Sequence, residues 1–229
     1  MAGSLDAREL RDRLTRARLM LLFTPELVRA GDPLAILEAV LAVVDVVQIR
    51  PKPLENARTA VTPAREAYEI TRAALDLARA LPEPRPLVIV NDRVDVARAL
   101  LADGVAGVHL GQDDAPASLA RAVLGPAALV GLSTHDAGEL VLAEDAGADY
   151  VGFGPIHTTA TKALSRGVGA ERAWVASHAC ACPLFAIGGI DRTNVADLAE
   201  VGRVAIGAGI LGASDPVSEA RQIRDLLVP

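Results

Sequence analysis

Residues 154–162 concentrate groups that could bind an anion. Within nine residues this segment carries three threonine hydroxyls, the imidazole of His157 and the ammonium group of Lys162, directly after the apolar run Tyr150–Phe153. Such donors suit phosphate oxygens, because charge-assisted hydrogen bonds to phosphate are short and strong. The alternative is a polar surface turn that happens to contain a lysine, and the segment alone does not separate the two interpretations.

Composition limits the kinds of protein to which the chain can belong. With 229 residues and 51% hydrophobic content, the chain can bury a full core, and we expect one domain over residues 1–229. Its net charge of −6 argues against a nucleic-acid partner, which would call for an excess of lysine and arginine. Any phosphate site must therefore be local.

The cysteines and the first residues of the chain bear on its location. Cys180 and Cys182 cannot form a disulfide framework or a four-cysteine zinc site. Residues 1–18 mix acidic residues with arginines and lack the apolar region of a signal peptide. No segment reaches the roughly 18 continuous apolar residues of a membrane helix. We therefore expect a cytoplasmic protein without a membrane segment.

Short apolar runs alternate with helical patterns along the chain, after a charged opening helix at residues 7–18. The predicted strands are 19–23, 46–49, 87–90, 107–110, 129–132, 150–153, 184–187 and 204–206. The predicted helices between and after them include 63–81, 94–101, 116–124, 137–146, 172–180, 194–200 and 216–227. Such alternation predicts a parallel sheet, and eight units favour a (β/α)8 TIM barrel with an extra N-terminal helix. An open doubly wound sheet is the alternative, but no Gly-x-Gly-x-x-Gly fingerprint follows the first strand.

Polar residues end most of these predicted strands, where a TIM barrel carries its active site. At the ends of strands two to five the chain has Gln48, Arg50 and Lys52, then Asn91 and Asp92, then His109, Gln112, Asp113 and Asp114, and then Ser133, Thr134 and His135. The period of two along a strand puts Gln48, Arg50 and Lys52 on one face if the chain stays extended through Pro51.

Acidic residues thus end strands three and four, whereas cations end strands two and six. Carboxylate and phosphate oxygens are the ligands that Mg²⁺ prefers, with water completing the octahedron. A diphosphate held between Arg50, Lys52, Lys162 and Mg²⁺ would account for all of these charges. The alternative is that the acidic residues after both strands cap the helices that follow them.

Glycines follow the last two strands. Gly188 and Gly189 come after strand seven, and the segment Gly207, Ala208, Gly209 comes after strand eight. Barrels commonly bind a phosphate through backbone N–H groups at these two loops. The alternative is that the glycines only turn the chain.

With these residues in place, the chain resembles the thiamine-phosphate synthase family from about Val47 to Leu211. The likeness rests on six segments in the family's order: 47–52, 91–95, 107–112, 131–135, 154–162 without its two central residues, and 186–190. Each segment lies at a predicted strand end.

The resemblance implies an activity and a set of roles. The family transfers a hydroxymethylpyrimidine group from its diphosphate to the nitrogen of a thiazole phosphate and releases diphosphate. The substrates would be the pyrimidine diphosphate and the thiazole phosphate, and Mg²⁺ would be the cofactor. Carried over by position, Mg²⁺ would be bound by Asp92 and Asp114, and the diphosphate by Arg50, Lys52, Asn91 and Lys162. The pyrimidine would contact Gln48 and Ser133. The thiazole phosphate would contact Thr159, Thr161, Gly188, Gly189 and the position of Ala208. Catalysis itself would fall to Arg50, Lys52, Ser133 and Lys162.

The chain departs from the family pattern at several positions. Pro51 replaces an acidic residue, His157 and Thr158 replace an aromatic and a small residue, Ala208 replaces a serine that helps to bind phosphate, and the segment between Asn91 and His109 is about three residues longer. A sister branch, the thiazole tautomerases, keeps the barrel but lacks the metal and diphosphate residues.

Three alternatives to the synthase therefore remain. They are a tautomerase, another isomerase in which His157 acts as acid or base, and a non-catalytic ligand-binding relative. Related barrels are monomers or homodimers, so a homodimer remains one alternative for the assembly.

Overall fold

The computed structural model describes residues 6–29, 31–51, 63–158 and 167–227. Its described strands are all parallel and close into a barrel in chain order, β1 to β8. The strands are β1 (Leu19–Phe23), β2 (Val46–Ile49), β3 (Leu87–Asn91), β4 (Gly107–Leu110), β5 (Leu129–Thr134), β6 (Tyr150–Phe153), β7 (Leu184–Ile187) and β8 (Val204–Ile206). The predicted (β/α)8 TIM barrel is therefore confirmed.

Helices cover the outer side of this barrel and one of its ends. They are α1 (Ala7–Arg16), α2 (Pro33–Leu41), α3 (Ala64–Arg79), α4 (Val94–Leu100), α5 (Ala117–Leu124), α6 (Ala137–Asp145), α7 (Ala170–Ala179), α8 (Ala208–Leu211) and α9 (Pro216–Leu226). Short 3₁₀ turns lie at Pro25–Leu27, Leu101–Asp103 and Val195–Leu198. No helix among these described segments is both long enough and apolar enough to cross a membrane.

The local sequence explains where several of these helices begin. Asp32 precedes Pro33 and its carboxylate accepts the N–H of Leu34, so α2 starts with a capped N-terminus and a proline in the first turn. The carboxylates of Asp136 and Asp215 cap α6 and α9 in the same way.

Side chains of each strand alternate between the two sides of the barrel wall. On β1, Leu19, Leu21 and Phe23 face the helices, whereas Met20 and Leu22 belong to a separate cluster in the barrel interior. Leu10 and Leu14 of α1 join that interior cluster. The extra N-terminal helix therefore closes the end of the barrel at which the strands begin. Burying each of these leucines contributes about 2 kcal/mol.

Several predicted boundaries were wrong, and two of them lie near the strand ends that carry the candidate site. The helix expected at 194–200 is only the 3₁₀ turn Val195–Leu198, because the side chain of Asn194 bonds to Asp191 N–H and to Gly189 C=O and so holds the start of the segment in a loop. Strand five runs two residues further, to Thr134, because Ser133 and Thr134 pair in register with Gly152 and Phe153. The Thr134 hydroxyl also donates to the Gly152 carbonyl at 3.1 Å.

Candidate active site

Strand β2 and the first residue after it supply the first two polar groups of the candidate site. Gln48 is 3% exposed, and its side chain points into the barrel interior, on the same face of β2 as Val46. Arg50 is half-buried, and its backbone N–H donates to the Phe23 carbonyl at 2.8 Å. Burial lowers the pKa of Arg50, and the negative charge of Asp92 opposes that shift. An arginine cation therefore lies near a carboxylate of the next strand end and is partly shielded from water.

The chain turns sharply where β3 ends. Asp92 has a φ of 62°, in the left-handed region, and is the sole non-glycine residue with positive φ in the described ranges. Its N–H donates to the His109 carbonyl at 2.8 Å, which fastens this turn to β4. The helix that follows has Arg93 at its N-cap, so neither Asn91 nor Asp92 is the capping residue. A strained position of this kind costs on the order of 1 kcal/mol and is typical of functional sites.

Asp114 occupies the neighbouring loop, after β4. Its carboxylate oxygen Oδ2 accepts the N–H of Gly111 at 2.7 Å, and a Cβ at residue 111 would lie 3.0 Å from that oxygen. Pro116, which makes no side-chain capping bond, is the N-cap of α5. The interpretation of Asp113 and Asp114 as N-cap residues is therefore wrong. A backbone hydrogen bond orients the Asp114 carboxylate instead.

These two carboxylates are suited to magnesium. The described residues contain no group of three or more His, Cys, Asp or Glu side chains that could hold a metal by themselves. Mg²⁺ does not need such a group, since it is usually bound by one or two carboxylates together with waters and substrate phosphates. Asp92 and Asp114 lie in adjacent loops, with Arg50 near Asp92, and fit that pattern.

Ser133 of β5 belongs to a hydrogen-bonded line of side chains. Its hydroxyl oxygen lies 3.0 Å from Nε2 of His109, and Nδ1 of the same ring lies 3.1 Å from the hydroxyl of Tyr150. Burial raises the pKa of Tyr150, and a hydrogen bond from Gln48 opposes that rise. The Gln112 side chain donates to the backbone carbonyl of Ser133 at 2.6 Å. Ser133, which is expected to contact the pyrimidine, is thus connected to Tyr150 through the buried ring of His109.

The loops after β6 and β7 are bonded to each other. The N–H of Ile156 donates to the Ile187 carbonyl at 2.9 Å, and that of His157 donates to the Gly188 carbonyl at 3.0 Å. Gly188 and Gly189 have φ of 98° and 67°, and a Cβ at either would approach Pro155 or His157 to 2.6 or 2.8 Å. These glycines are therefore required for the turn and for close packing, so their presence alone does not demonstrate a phosphate site.

Ala208 is the first residue of the short helix α8, directly after Gly207 and β8. The backbone here also packs closely, since a Cβ at Gly209 would lie 2.3 Å from the Ile190 carbonyl oxygen. Backbone groups from the ends of β7 and β8 consequently share one edge of the barrel.

Four of the predicted site residues lie outside the described residues. They are Lys52, Thr159, Thr161 and Lys162. The structure brings the remaining ones, from Gln48 to Ala208, to the same end of the barrel, where strands β2 to β5, β7 and β8 finish.

Sequence reasoning gave no role to three polar groups at or below this end. Tyr150 and His109 lie inside the barrel, and Thr24 follows β1 with 4% of its surface exposed. The Thr24 hydroxyl is a buried group for which the described residues supply no hydrogen-bond partner. The sequence did contain a signal for His109 and Tyr150. Each is a polar aromatic ring in an otherwise apolar strand, and the strand between them carries Gly131.

Comparisons with known proteins point to one family. The family model described as thiamine monophosphate synthase matches residues 19–210. A thiamine-phosphate synthase of Synechococcus sp. (strain WH7803) is 46% identical over 156 residues, which are 67% of this chain and 43% of the relative. That of Gloeobacter violaceus is 41% identical over 211 residues, 91% of this chain and 57% of the relative. The chain thus spans about half the length of the curated relatives it matches.

Solved structures also resemble the chain. A thiamine phosphate pyrophosphorylase from Pyrococcus furiosus superposes with a TM-score of 0.76 at 29% identity, over 95% of this chain and 97% of that one. A 3-hexulose-6-phosphate synthase from Salmonella typhimurium, at 19% identity and a TM-score of 0.63, shares the fold. Because the family model matches residues 19–210, which are most of the chain, the chain belongs to the thiamine monophosphate synthase (TMP-TENI) family.

Proposed function

We propose that the chain is a thiamine-phosphate synthase, which joins a hydroxymethylpyrimidine diphosphate to a thiazole phosphate. One observation carries this proposal within the family. Arg50, Asp92 and Asp114, the residues that set a synthase apart from a tautomerase, end three consecutive strands at one rim of the barrel. The same activity is named for the relatives from Synechococcus and Gloeobacter.

In the proposed reaction, the bond between the pyrimidine methylene carbon and the diphosphate oxygen breaks, and its electron pair leaves with the diphosphate. The thiazole nitrogen then donates its lone pair to that carbon, and the product carries the positive charge on the thiazolium ring. Both steps redistribute charge over several ångströms. Fixed charges in a water-poor site are the most effective way to stabilise such a change.

Arg50 is placed to stabilise the departing diphosphate. Burial around its guanidinium reduces screening by water, so its attraction to a phosphate oxygen exceeds that of an exposed arginine. Asn91, at the end of β3, would donate its side-chain amide to the same group. Lys52 and Lys162 are proposed to complete the cationic set.

A magnesium ion would be held by Asp92 and Asp114. It would supply positive charge that neutralises the diphosphate. The Gly111 N–H orients the Asp114 carboxylate, and the φ of 62° at Asp92 turns that residue out of the strand. Both features would favour binding of the ion.

The thiazole phosphate is proposed to bind at the ends of β7 and β8. There the backbone of Gly188, Gly189 and Ala208 would contact the phosphate, assisted by Thr159 and Thr161. At residue 208 the methyl side chain offers no donor, so backbone groups would carry the contact that a serine supplies in other members of the family.

The direct test is to mix the purified chain with both substrates and Mg²⁺ and to measure thiamine phosphate and diphosphate together. We expect equal amounts of both products from the wild type and a large loss of rate in Asp92→Asn and Asp114→Asn. Asp113→Asn is the matched control, since Asp113 is an exposed carboxylate next to Asp114 and should leave the rate unchanged.

Two results would overturn the proposal. Interconversion of thiazole isomers without any thiamine phosphate would indicate the tautomerase, and substrate binding without turnover would indicate a non-catalytic relative. A chelator that leaves the wild-type rate unchanged would contradict the metal assignment alone.

A further inference from the structure

Tyr150, His109 and Ser133 form a continuous polar line through the upper part of the barrel interior, with Gln48 close by. The Tyr150 hydroxyl lies 3.1 Å from Nδ1 of His109, and Nε2 of His109 lies 3.0 Å from the Ser133 hydroxyl. Gln48 and His109 are at most 5% exposed, and Tyr150 is fully buried. Ser133 is half-buried, so the line leads from the closed interior to the open end of the barrel.

Strand register and two glycines make this line possible. His109, Gly131 and Tyr150 are register partners on β4, β5 and β6, so the histidine and tyrosine rings meet across a residue that has no side chain. Their ring centroids are 5.4 Å apart. Ser133 pairs with Gly152, and a Cβ on Gly152 would touch Cε1 of His109 at 3.4 Å. The barrel thus reserves space for both rings.

The direction of the hydrogen bonds follows from the donors available. The Tyr150 hydroxyl is fully buried and burial keeps its phenol protonated, so its O–H needs an acceptor inside the barrel. Among the described residues, Nδ1 of His109 is the acceptor that this O–H reaches, at 3.1 Å. A neutral imidazole has one donor and one acceptor nitrogen, so its proton is on Nε2. That N–H donates to Ser133, whose hydroxyl oxygen is then occupied as an acceptor.

We propose that His109 is a positioning residue, held in its Nε2–H tautomer by Tyr150, which leaves the Ser133 hydroxyl to act as a hydrogen-bond donor toward the substrate. The partner on the substrate is an acceptor atom such as a ring nitrogen of the pyrimidine, and this part of the inference rests on the proposed function. A serine with no such partner could equally accept a bond from an amino group. His109 therefore determines which edge of the ring Ser133 recognises.

This arrangement predicts a specific kinetic effect. When the diphosphate leaves, the pyrimidine ring loses electron density, so its nitrogens become poorer acceptors in the transition state than in the bound substrate. Loss of the Ser133 bond should accordingly weaken binding of the pyrimidine diphosphate more than it lowers kcat. One hydrogen bond contributes about 1 kcal/mol, which corresponds to roughly a fivefold change in affinity.

The first experiment measures the tautomer in the substrate-free protein by ¹⁵N NMR of the histidine rings. The chain has four histidines, and the His109→Asn spectrum identifies the signals of His109 by their loss. We expect a protonated Nε2 and an unprotonated Nδ1 in the wild type, and a mixture of tautomers in Tyr150→Phe. A proton on Nδ1 in the wild type, or on both nitrogens, would overturn the proposal.

The second experiment measures affinity for the pyrimidine diphosphate by calorimetry, with kcat alongside. His109→Asn and Ser133→Ala should each weaken binding about fivefold, and the double variant should bind no more weakly than Ser133→Ala, because His109 acts through Ser133. His109→Gln, which returns an N–H near the Nε2 position, should recover part of the affinity. His178→Asn is the matched control, since His178 is exposed on α7 and should leave affinity unchanged.

Additive losses in the double variant would overturn the positioning role of His109. If the proposed function is wrong, the wild type will form no thiamine phosphate. The tautomer of His109 is measured without substrate, so that result does not depend on the proposed function. Thermal unfolding of each variant separates a loss of binding from a loss of the fold.

Discussion

Gly131 and Tyr150 are register partners on adjacent strands, and the tyrosine ring fills the space that a side chain at residue 131 would occupy. A Cβ built on Gly131 would lie 2.0 Å from Cζ of Tyr150 and 2.5 Å from its hydroxyl oxygen. The ring in turn packs edge-on against Phe185 at 5.9 Å, so it has no room to retreat within the barrel. One glycine therefore determines where the polar line below the active site can run.

Gly131→Ala should both destabilise the protein and reduce its activity. Overpacking of a well-filled core typically costs 1–3 kcal/mol, and this overlap is with a rigid buried ring, so we expect a loss of at least about 2 kcal/mol in the free energy of unfolding. Chemical denaturation measures it. Gly138→Ala on the exposed side of α6 is the control and should change stability by under about 1 kcal/mol, since alanine is a better helix former. Equal stability of the two variants would show that the ring can move aside.

Arg50→Gln should separate activity from stability. The half-buried guanidinium is proposed to stabilise the leaving diphosphate, so its loss should reduce kcat/KM by a factor of about 100 or more. Burial already disfavours the charge, as the lowered pKa of Arg50 indicates, so a neutral residue should leave the melting temperature unchanged or raise it. The control is Arg172→Gln, an exposed arginine of α7 whose removal should alter neither quantity. A variant that lost activity only by unfolding would contradict this role.

The raised pKa of Tyr150 gives a pH dependence with a definite sign. An unfolded tyrosine ionises near pH 10, whereas burial keeps the folded phenol neutral well above that value. The stabilising contribution is complete below about pH 10 and is lost as the pH rises toward the folded pKa, by up to about 1.4 kcal/mol for each pH unit. Urea unfolding at a series of pH values should show this slope in the wild type. The slope should be smaller in Tyr150→Phe, and identical slopes would refute the assignment.

The barrel itself could be predicted from the sequence because each strand is a compact apolar run and the polar residues at its end mark where it stops. The strand-end residues Arg50, Asn91 and Asp92 could be found by the same rule. Their arrangement follows from the fold, since the ends of parallel strands in a closed barrel meet at one rim.

Other features depend on contacts that the sequence does not display. Asp114 is held by the N–H of Gly111, a bond that exists only once the loop after β4 has folded. The line from Tyr150 to Ser133 depends on register across three strands, and a shift of one residue would move every one of these side chains to the other side of the wall. His109 was recognisable as a polar residue in a strand, but its two partners come from β5 and β6.

Asp149 should be more important for stability than any exposed ion pair of the chain. It immediately precedes β6, at the end of the barrel opposite the candidate site, and its side chain is 7% exposed. It accepts hydrogen bonds from Arg11 of α1 at 2.8 Å, from Arg121 of α5 at 2.7 Å and from the backbone N–H of Val130 at 2.8 Å. One carboxylate thus connects the N-terminal helix, a barrel helix and a strand.

Asp149→Ala removes all three acceptor contacts together and leaves two arginines close to each other. Both arginines are partly exposed and can recover some hydration, so we expect a loss of about 2–4 kcal/mol in the free energy of unfolding. The control is Glu69→Ala, which breaks an ion pair with Arg65 whose side chains are 65% and 89% exposed, and should cost under about 0.5 kcal/mol. Turnover of the folded Asp149→Ala protein should match that of the wild type, because Asp149 and the candidate active site lie at opposite ends of the barrel. Reduced turnover at a temperature where the variant is fully folded would show that the two ends are coupled.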